Sequence, residues 1–261
     1  MKTPICLSIA GSDPSGGAGI QADLKVFQNL ACYGCSISTL ETIQNTLGVK
    51  EVFINDSEII RKQIQSLSED FEFNAIKLGA LGNENNLKTL INSGILEKQV
   101  VVIDPIFHST SGNALFTKNG HLLYKELLLP RAFLITPNIQ EAILLSEVEI
   151  KTLADMKVAA EKIAKLGARS VLIKGGHLDS QDCIDLLFTD SQFIEIRKPR
   201  IKSKHTHGTG CFLSANITAL LAKNISLIEA VERACENTHE AIKSAPALGK
   251  GQGPLNFFIK S

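Results

Sequence analysis

Short apolar runs alternate with amphipathic helical stretches along the whole chain, and this alternation constrains the fold more than any other feature. Several of the runs are continuously apolar, which is typical of strands buried on both faces. A strand, a helix and a following parallel strand form a right-handed crossover. The pattern therefore predicts an α/β fold with three layers, α/β/α, around a mostly parallel central sheet, formed by residues 1–261 as a single domain.

The predicted elements cover most of the chain. Strands are predicted at residues 5–10, 36–42, 74–78, 100–104, 132–136, 170–174 and 185–189. Helices are predicted at residues 19–30, 57–67, 83–92, 116–128, 138–145, 152–166, 209–222 and 226–245. No repeat, low-complexity tract or linker separates these elements into two units.

Composition excludes several classes of function. The formal net charge is zero, which argues against a nucleic-acid partner because such binding depends on excess Lys and Arg. No segment approaches the roughly 20 continuous apolar residues of a membrane span. The apolar run near the N-terminus lacks the length and the cleavage pattern of a signal peptide. We therefore expect a cytoplasmic protein with neither nucleic-acid nor membrane partners.

The cysteines are scattered along the chain, at positions 6, 32, 35, 183, 211 and 235. Cys32 and Cys35 have the C-x-x-C spacing of zinc and redox sites, but no second pair completes a tetrahedral zinc site. Disulfide frameworks belong mostly to short secreted chains. We expect ordinary buried thiols, apart from Cys211, which begins a predicted helix.

Glycines and polar residues follow the predicted strands, at residues 11–19, 44–45, 104–105, 136–141 and 174–176. In open parallel sheets, ligands bind outside the carboxyl ends of the strands. These segments therefore predict one composite active site at that edge of the sheet.

The first glycine-rich loop, residues 10–19, leads from the first strand into the first helix. Its glycines permit tight turns and close approach of a ligand to the backbone. It is not a P-loop, because no Lys-Ser/Thr pair closes it. Gly17-x-Gly19-x-x-Ala22, with Glu41 on the next strand, loosely matches a dinucleotide fingerprint. An NAD-dependent oxidoreductase is therefore the alternative from another class.

The second glycine-rich loop, His207-Gly208-Thr209-Gly210-Cys211, precedes an apolar helix. The N–H groups and the dipole at a helix start favour an anion, such as a phosphoryl group in transfer. The pKa of a thiol tends to fall at such a position, so Cys211 is a candidate functional residue. His205 and His207 flank the loop, and either packing or a chemical role is open for them.

A candidate magnesium and nucleotide site combines residues from the ends of three predicted strands. Asn138 and Glu141 are three residues apart at a helix start, where they either form a capping box or face a ligand together. Magnesium uses few carboxylates together with waters and substrate phosphates, which Asp104 and Glu141 would suit. Lys174 follows a buried strand and is a candidate point charge for nucleotide phosphates.

Five motifs occur in one order along nearly the whole chain. They are A-G-S-D-P-S-G-G-A-G-I-Q-A-D-L-K from residue 10, Gln44-Asn45-Thr46, Thr136-Pro137-Asn138 with Glu141, Lys174-Gly175-Gly176-His177 and His207-Gly208-Thr209-Gly210-Cys211. In this order they resemble the hydroxymethylpyrimidine/phosphomethylpyrimidine kinases of thiamine synthesis. The resemblance implies the ribokinase-like fold of that family and its use of ATP with magnesium.

The resemblance implies a role for each site residue. On the substrate side, Gln44 would pair with the pyrimidine, and the residues bordering the pocket would be Gly11, Ala18, Asp23 and Ala80. Asp23 is equally suited to be a solvated carboxylate on the helix surface. On the nucleotide side, ATP would contact Lys174, Thr209 and Asn138, with Asp104 and Glu141 at the magnesium. The segment from Gly208 through Gly210 to Cys211 would form the catalytic anion hole, with Cys211 where the wider superfamily has an aspartate base.

Two residues depart from the family pattern. Thr110 stands where a lysine is usual, and Ala80 stands where methionine is common. The related pyridoxal kinases remain an alternative, although Gln44 favours the pyrimidine. A catalytically silent binding protein of the same fold is a third possibility. The resemblance also implies a homodimer.

Overall fold

The computed structural model describes residues 2–107, 117–176 and 182–258. Within them, a nine-stranded sheet has the order β3-β2-β1-β4-β5-β6-β7-β8-β9. Its strands are β1 (Ile5–Ser12), β2 (Tyr33–Asn45), β3 (Gly48–Ile54), β4 (Ala75–Leu78), β5 (Val101–Ile103), β6 (Leu134–Ile135), β7 (Val171–Ile173), β8 (Asp182–Thr189) and β9 (Gln192–Pro199).

The centre of the sheet is parallel and its margins are antiparallel. Strands β2, β1, β4, β5, β6 and β7 pair in parallel, whereas β3 pairs antiparallel with β2 and the ribbon β8–β9 continues antiparallel from β7. The chain moves from β1 to β2 in one direction and later from β4 to β7 in the other. The strand order therefore reverses between β1 and β4, where open α/β sheets bind their ligands.

Eight α-helices lie among the described residues: α1 (Gly19–Asn29), α2 (Ser57–Asp70), α3 (Glu84–Asn92), α4 (Lys118–Leu123), α5 (Ile139–Ser146), α6 (Leu153–Lys165), α7 (Thr209–Ala222) and α8 (Leu227–Lys243). A π-turn, Tyr124–Leu128, and a 3-10 turn, Leu129–Arg131, follow α4. Helices α1, α7 and α8 cover one face of the sheet, and α2 to α6 cover the other.

Successive residues of a strand pack on opposite faces of the sheet, so each strand contributes to the core on both sides. In β5, Val101 and Ile103 join the cluster under α2 to α6, whereas Val102 joins the cluster under α1, α7 and α8. Residues 211–222 of α7 are all buried, because α7 packs against the sheet and between α1 and α8. This packing holds the start of α7 at the carboxyl edge of the sheet.

The fold predicted from the sequence is confirmed, including the three layers and the mostly parallel sheet. Every predicted strand and helix has a counterpart, although residue 116, the first of the helix predicted at 116–128, lies outside the described residues. The sequence missed β3 and β9. Both carry many exposed or half-buried residues, so neither has the continuous apolar run of a central strand.

The two cysteines of the C-x-x-C motif pack on opposite faces of the sheet. Cys32 belongs to the cluster under α1 and α7, whereas Cys35 belongs to the cluster on the opposite face. Both are free and buried, as expected for structural thiols. Among the described helices, none combines the length and the apolar character that a membrane crossing requires.

Candidate active site

A cavity of about 120 Å³ opens beside the point where the strand order reverses. Among its lining residues are Gly11 after β1, Ala18 before α1, Gln44 on β2, Ala80 after β4 and Cys211 at the start of α7. The structure thus brings together all but one of the residues expected at the substrate, with the candidate catalytic thiol beside them. Three more lining residues, Ser12, Asp13 and His207, belong to the two glycine-rich loops that the sequence singled out. Sequence analysis missed the lining residues Leu40, Thr42, Val49, Val52 and Ile106.

Asp13 organises the first glycine-rich loop. Its Oδ1 accepts hydrogen bonds from the backbone N–H and the hydroxyl of Ser15, at 2.8 and 2.7 Å. Its Oδ2 accepts from the N–H groups of Gly17 and Ala18, at 3.2 and 2.9 Å. A β-carbon on Gly19, where φ is +59°, would lie 2.2 Å from the carbonyl oxygen of Gly11. The loop therefore closes only with glycine at position 19.

His207 connects the two glycine-rich loops at the wall of the cavity. Its Nε2 lies 2.8 Å from Oδ2 of Asp13 and 3.2 Å from the side-chain nitrogen of Gln44. The sequence singled out this histidine without deciding its role. An aspartate one residue before Pro14 in a glycine loop was the available signal for Asp13. Nothing local in the sequence indicates that the two side chains meet.

The environment of Asp23 differs from the one that the sequence predicted. Its side chain is fully buried and pairs with Lys77, with 2.6 Å between Oδ1 and Nζ, while the hydroxyl of Ser8 donates to Oδ2 at 2.6 Å. The carboxylate of Asp23 is therefore not solvated, and Asp23 is not among the residues that line the cavity. Burial opposes the charge of Lys77, but Asp23, Cys211 and Asp104 outweigh it and raise the lysine pKa.

The start of α7 forms the candidate anion hole. Gly208 has φ +80°, and a β-carbon there would lie 1.7 Å from the carbonyl oxygen of Gly17, so glycine is required. First-turn N–H groups have no partner within a helix, and they point out of its N-terminus. A β-carbon on Gly210 would lie 3.1 Å from Nζ of Lys174 and 3.2 Å from Oδ2 of Asp104. The helix start thus lies directly over the candidate magnesium and nucleotide site.

Cys211 is buried at the cavity wall, and its environment corrects the expected direction of its pKa. Burial raises the pKa of this thiol to about 11, although Lys77 acts in the opposite direction. Asp23 and Asp104 raise the pKa further. The position at a helix start would by itself favour the thiolate, but desolvation is the larger effect. Cys211 is therefore protonated at neutral pH.

Lys174, Asp104 and Glu141 form a cluster where β5, β6 and β7 end. Lys174 Nζ lies 2.8 Å from Oδ1 of Asp104 and 4.0 Å from Oε2 of Glu141. Burial raises the pKa of Glu141 to about 7, with Lys174 opposing this shift and Asp104 adding to it. Two carboxylates thus face one ammonium group. This surplus of oxygen ligands fits a magnesium ion that is held mainly through waters and phosphates.

The capping box indicated by the sequence forms at α5. The side chain of Asn138 accepts from the backbone N–H of Glu141 at 2.9 Å, and the N–H of Asn138 donates to Glu141 at 2.7 Å. The box holds Glu141 beside Lys174, so capping and a place in the site occur together. The hydroxyl of Thr209 donates to the carbonyl of Thr206 at 2.7 Å, which secures the turn before α7.

Asp185 on β8 is a further residue that sequence analysis missed. Its Oδ1 accepts from the backbone N–H of Gly175 at 2.9 Å and so fixes the turn that follows Lys174. A carboxylate within the largely apolar run of β8 was the available signal. Thr110, which departs from the family pattern, and His177, which matches it, lie outside the described residues.

Comparisons with known proteins found similarity over nearly the whole chain. The family model described as phosphomethylpyrimidine kinase matches residues 13–256. A Bacillus subtilis relative named hydroxymethylpyrimidine/phosphomethylpyrimidine kinase is 44% identical over 255 residues, which are 97% of this chain and 94% of the relative.

Two solved structures share the fold. An ADP complex of Bacillus subtilis pyridoxal kinase has a TM-score of 0.90 and 35% sequence identity, covering 98% of each chain. A phosphomethylpyrimidine kinase from Clostridium difficile 630 has a TM-score of 0.81 and 37% identity, covering 92% of this chain and 100% of that one.

Proposed function

Since the chain belongs to the phosphomethylpyrimidine kinase family, we propose that it transfers the γ-phosphoryl group of ATP to 4-amino-5-hydroxymethyl-2-methylpyrimidine and then to its monophosphate. The protein is an ATP-dependent kinase, and the reaction belongs to thiamine biosynthesis. One observation carries the choice of substrate: Gln44 and Cys211 line the same small cavity beside the start of α7.

On the substrate side, the size and chemistry of the cavity support a small heterocycle. The amide of Gln44 offers one acceptor and two donors, which match the exocyclic amine and a ring nitrogen of an aminopyrimidine. Gly11, Ala18 and Ala80 contribute little bulk to the wall, which leaves room for the ring. The substrate hydroxyl is proposed to lie at Cys211.

On the phosphate side, catalysis depends on position and charge. The transition state of phosphoryl transfer is loose, so the enzyme acts mostly by aligning the groups and stabilising the developing charge. The N–H groups at Gly208, Gly210 and Cys211 are proposed to face the transferring group. ATP is proposed to contact Lys174, Thr209 and Asn138. Binding of the phosphates would draw the Lys174 ammonium partly away from Asp104.

Asp104 and Glu141 are the residues proposed to hold magnesium, which would neutralise phosphate charge when bound. The arrangement of two carboxylates around one ammonium supports this assignment. A nearby dication would also favour the ionised form of Glu141, whose pKa burial raises to about 7.

Product analysis by mass spectrometry tests the function directly. The protein would be incubated with ATP-magnesium and, in parallel, with hydroxymethylpyrimidine, its monophosphate, pyridoxal and pyridoxine. We expect one phosphoryl group to be added to each pyrimidine, with pyridoxal and pyridoxine poorer substrates. Preferential turnover of pyridoxal would make the related activity the main one. Absence of any turnover would favour a silent binding protein.

Calorimetry separates the kinase from the oxidoreductase alternative. ATP-magnesium is expected to bind, and NAD is not, because the first loop is longer than the tight turn of a dinucleotide fingerprint. Tight binding of NAD without binding of ATP would overturn the assignment. The homodimer implied by the family resemblance stays a prediction, which sedimentation of the purified protein tests.

A further inference from the structure

The side chain of His207 contacts the side chains of both Asp13 and Gln44. All three residues line the candidate substrate cavity. They belong to three distant parts of the chain: the loop after β1, the loop before α7 and the end of β2. Asp13 and His207 are almost fully buried, with side-chain exposures of 4% and 10%.

Asp13 is an ionised acceptor. Both carboxylate oxygens receive N–H or O–H donors from Ser15, Gly17 and Ala18, which leaves no place for a proton. Burial would raise the pKa of Asp13, but the hydrogen bonds from His207 and Ser15 outweigh it and lower the pKa. Nε2 of His207 lies 2.8 Å from Oδ2 of Asp13. Because Asp13 can only accept, Nε2 must carry the hydrogen of this hydrogen bond.

This proton determines which way the Gln44 amide faces. Nε2 of Gln44 lies 3.2 Å from Nε2 of His207. Both nitrogens are donors, so that arrangement makes no hydrogen bond. The oxygen and nitrogen of a side-chain amide have nearly the same shape, and their hydrogen-bond partners decide which occupies which place. Turning the amide by 180° puts Oε1 next to His207, where it accepts from the N–H that Asp13 shares.

We propose that His207, held by Asp13, is a positioning residue that fixes the Gln44 amide with its oxygen toward His207, so that the pocket accepts an aminopyrimidine and rejects its oxo analogue. The inference rests on the proposed pyrimidine substrate and deepens it. In this orientation Oε1 keeps a second lone pair for the exocyclic amine, while the NH2 group donates to the adjacent ring nitrogen. A 4-oxopyrimidine presents a carbonyl and a ring N–H at the same edge and needs the opposite orientation.

The test compares two substrates in matched variants. The measured quantity is the ratio of kcat/KM for 4-amino-5-hydroxymethyl-2-methylpyrimidine to that for the 4-oxo analogue. In His207→Ala the amide is free to turn, so we expect this ratio to fall about 10-fold or more, as expected for loss of one buried hydrogen bond. Binding of ATP-magnesium should stay unchanged. His207→Gln keeps an N–H donor near the same place and should restore part of the ratio.

Two controls separate positioning from general damage. His239→Ala changes a histidine on α8 that contacts the carbonyl of Pro199 outside the cavity, and it should leave the ratio unchanged. In a Gln44→Leu background, His207→Ala should no longer change the ratio, because His207 acts through the amide. Circular dichroism of each variant reports whether it is folded.

The outcomes distinguish this inference from the proposed function. Equal loss of both kcat/KM values in folded His207→Ala, with an unchanged ratio, would assign His207 a purely structural role and overturn the inference alone. A ratio that changes equally with and without Gln44 would overturn it as well. Wild-type protein that neither binds nor phosphorylates either pyrimidine would overturn the proposed function and this inference with it.

Discussion

Cys211 illustrates at the scale of one residue how two local effects compete. The start of α7 favours a thiolate, but burial is the stronger effect and raises the pKa to about 11. At pH 7 only about one thiol in ten thousand is then ionised. In the proposed mechanism, this small thiolate population of Cys211 would accept a proton, and the N–H groups around it would stabilise the charge of the phosphoryl group.

The first prediction concerns the chemical role of this thiol. Cys211→Ala keeps the backbone N–H and removes the sulfur, so kcat should fall about 100-fold or more while ATP affinity stays near normal. Wild-type kcat should rise with pH between 8 and 9.5, because the thiolate fraction grows below its pKa of about 11. Glu141, with a pKa of about 7, is already ionised in that range. Steady-state kinetics across this range measures both effects.

Two outcomes would remove the base role. An alanine variant with wild-type kcat, or a wild-type profile that is flat above pH 8, would leave the anion hole as the main catalytic element. Cys211→Asp introduces the base that is usual in the wider superfamily, and it should recover part of the activity lost in the alanine variant.

The second prediction concerns recognition by Gln44. Gln44→Leu should weaken pyrimidine binding by about 2–4 kcal/mol, because polar atoms of the ring lose their partners in a buried pocket. Binding of ATP-magnesium should change little, since Gln44 lies on the substrate cavity rather than beside Lys174. Calorimetric titration with each ligand measures the two affinities. Unchanged pyrimidine affinity would show that another residue reads the ring.

At the scale of elements, a buried ion pair joins β4 to α1 below the cavity. Lys77 on β4 and Asp23 on α1 are both completely buried, with 2.6 Å between their charged atoms. Such a pair gains little over apolar residues of the same size, because desolvation offsets the attraction. Removing one partner is different, since it leaves the other charge buried and uncompensated.

The third prediction follows from this asymmetry. Lys77→Met should lower the free energy of unfolding by about 3–5 kcal/mol, because Asp23 keeps its burial and loses its partner. The double variant Lys77→Met/Asp23→Leu should cost less than the two single changes added together. Urea unfolding measures all three variants. Strict additivity would mean that the two side chains act independently.

At the scale of the whole molecule, the proposed nucleotide site draws on several elements at once. Asp104 follows β5, Glu141 lies on α5, Lys174 follows β7 and Gly210 lies on α7. A ligand that contacts all of them binds only the folded chain, so its binding energy adds to the stability of the whole fold.

The fourth prediction concerns this linkage. ATP-magnesium at about 100 times its dissociation constant should stabilise the protein by about 2.7 kcal/mol, which raises the unfolding midpoint by roughly 5 °C or more. NAD at the same concentration should have no effect. Scanning calorimetry measures the shift and also tests the single domain predicted for residues 1–261. Two transitions, with only one shifted by ATP, would contradict that domain assignment.

Local sequence patterns determined the layers of the fold and several local features of the candidate site. Alternating apolar runs and helical stretches predicted the layers and the parallel core, because hydrophobic periodicity is a property of neighbouring residues. The capping box at Asn138 and Glu141 was likewise readable, since its partners are three residues apart. Because parallel strands end at one edge, the same patterns also placed Gln44, Asp104 and Lys174 at the same edge of the sheet.

Only the tertiary structure decided the rest, because burial and partners depend on residues far apart in the chain. The edge strands β3 and β9 lack a continuous apolar run, and each is held by pairing with its neighbour, β2 or β8. Asp23 meets Lys77 across 54 residues, and Asp13 meets His207 across 194. The raised pKa of Cys211 also comes from burial by the packed elements, which a helix start in the sequence does not reveal.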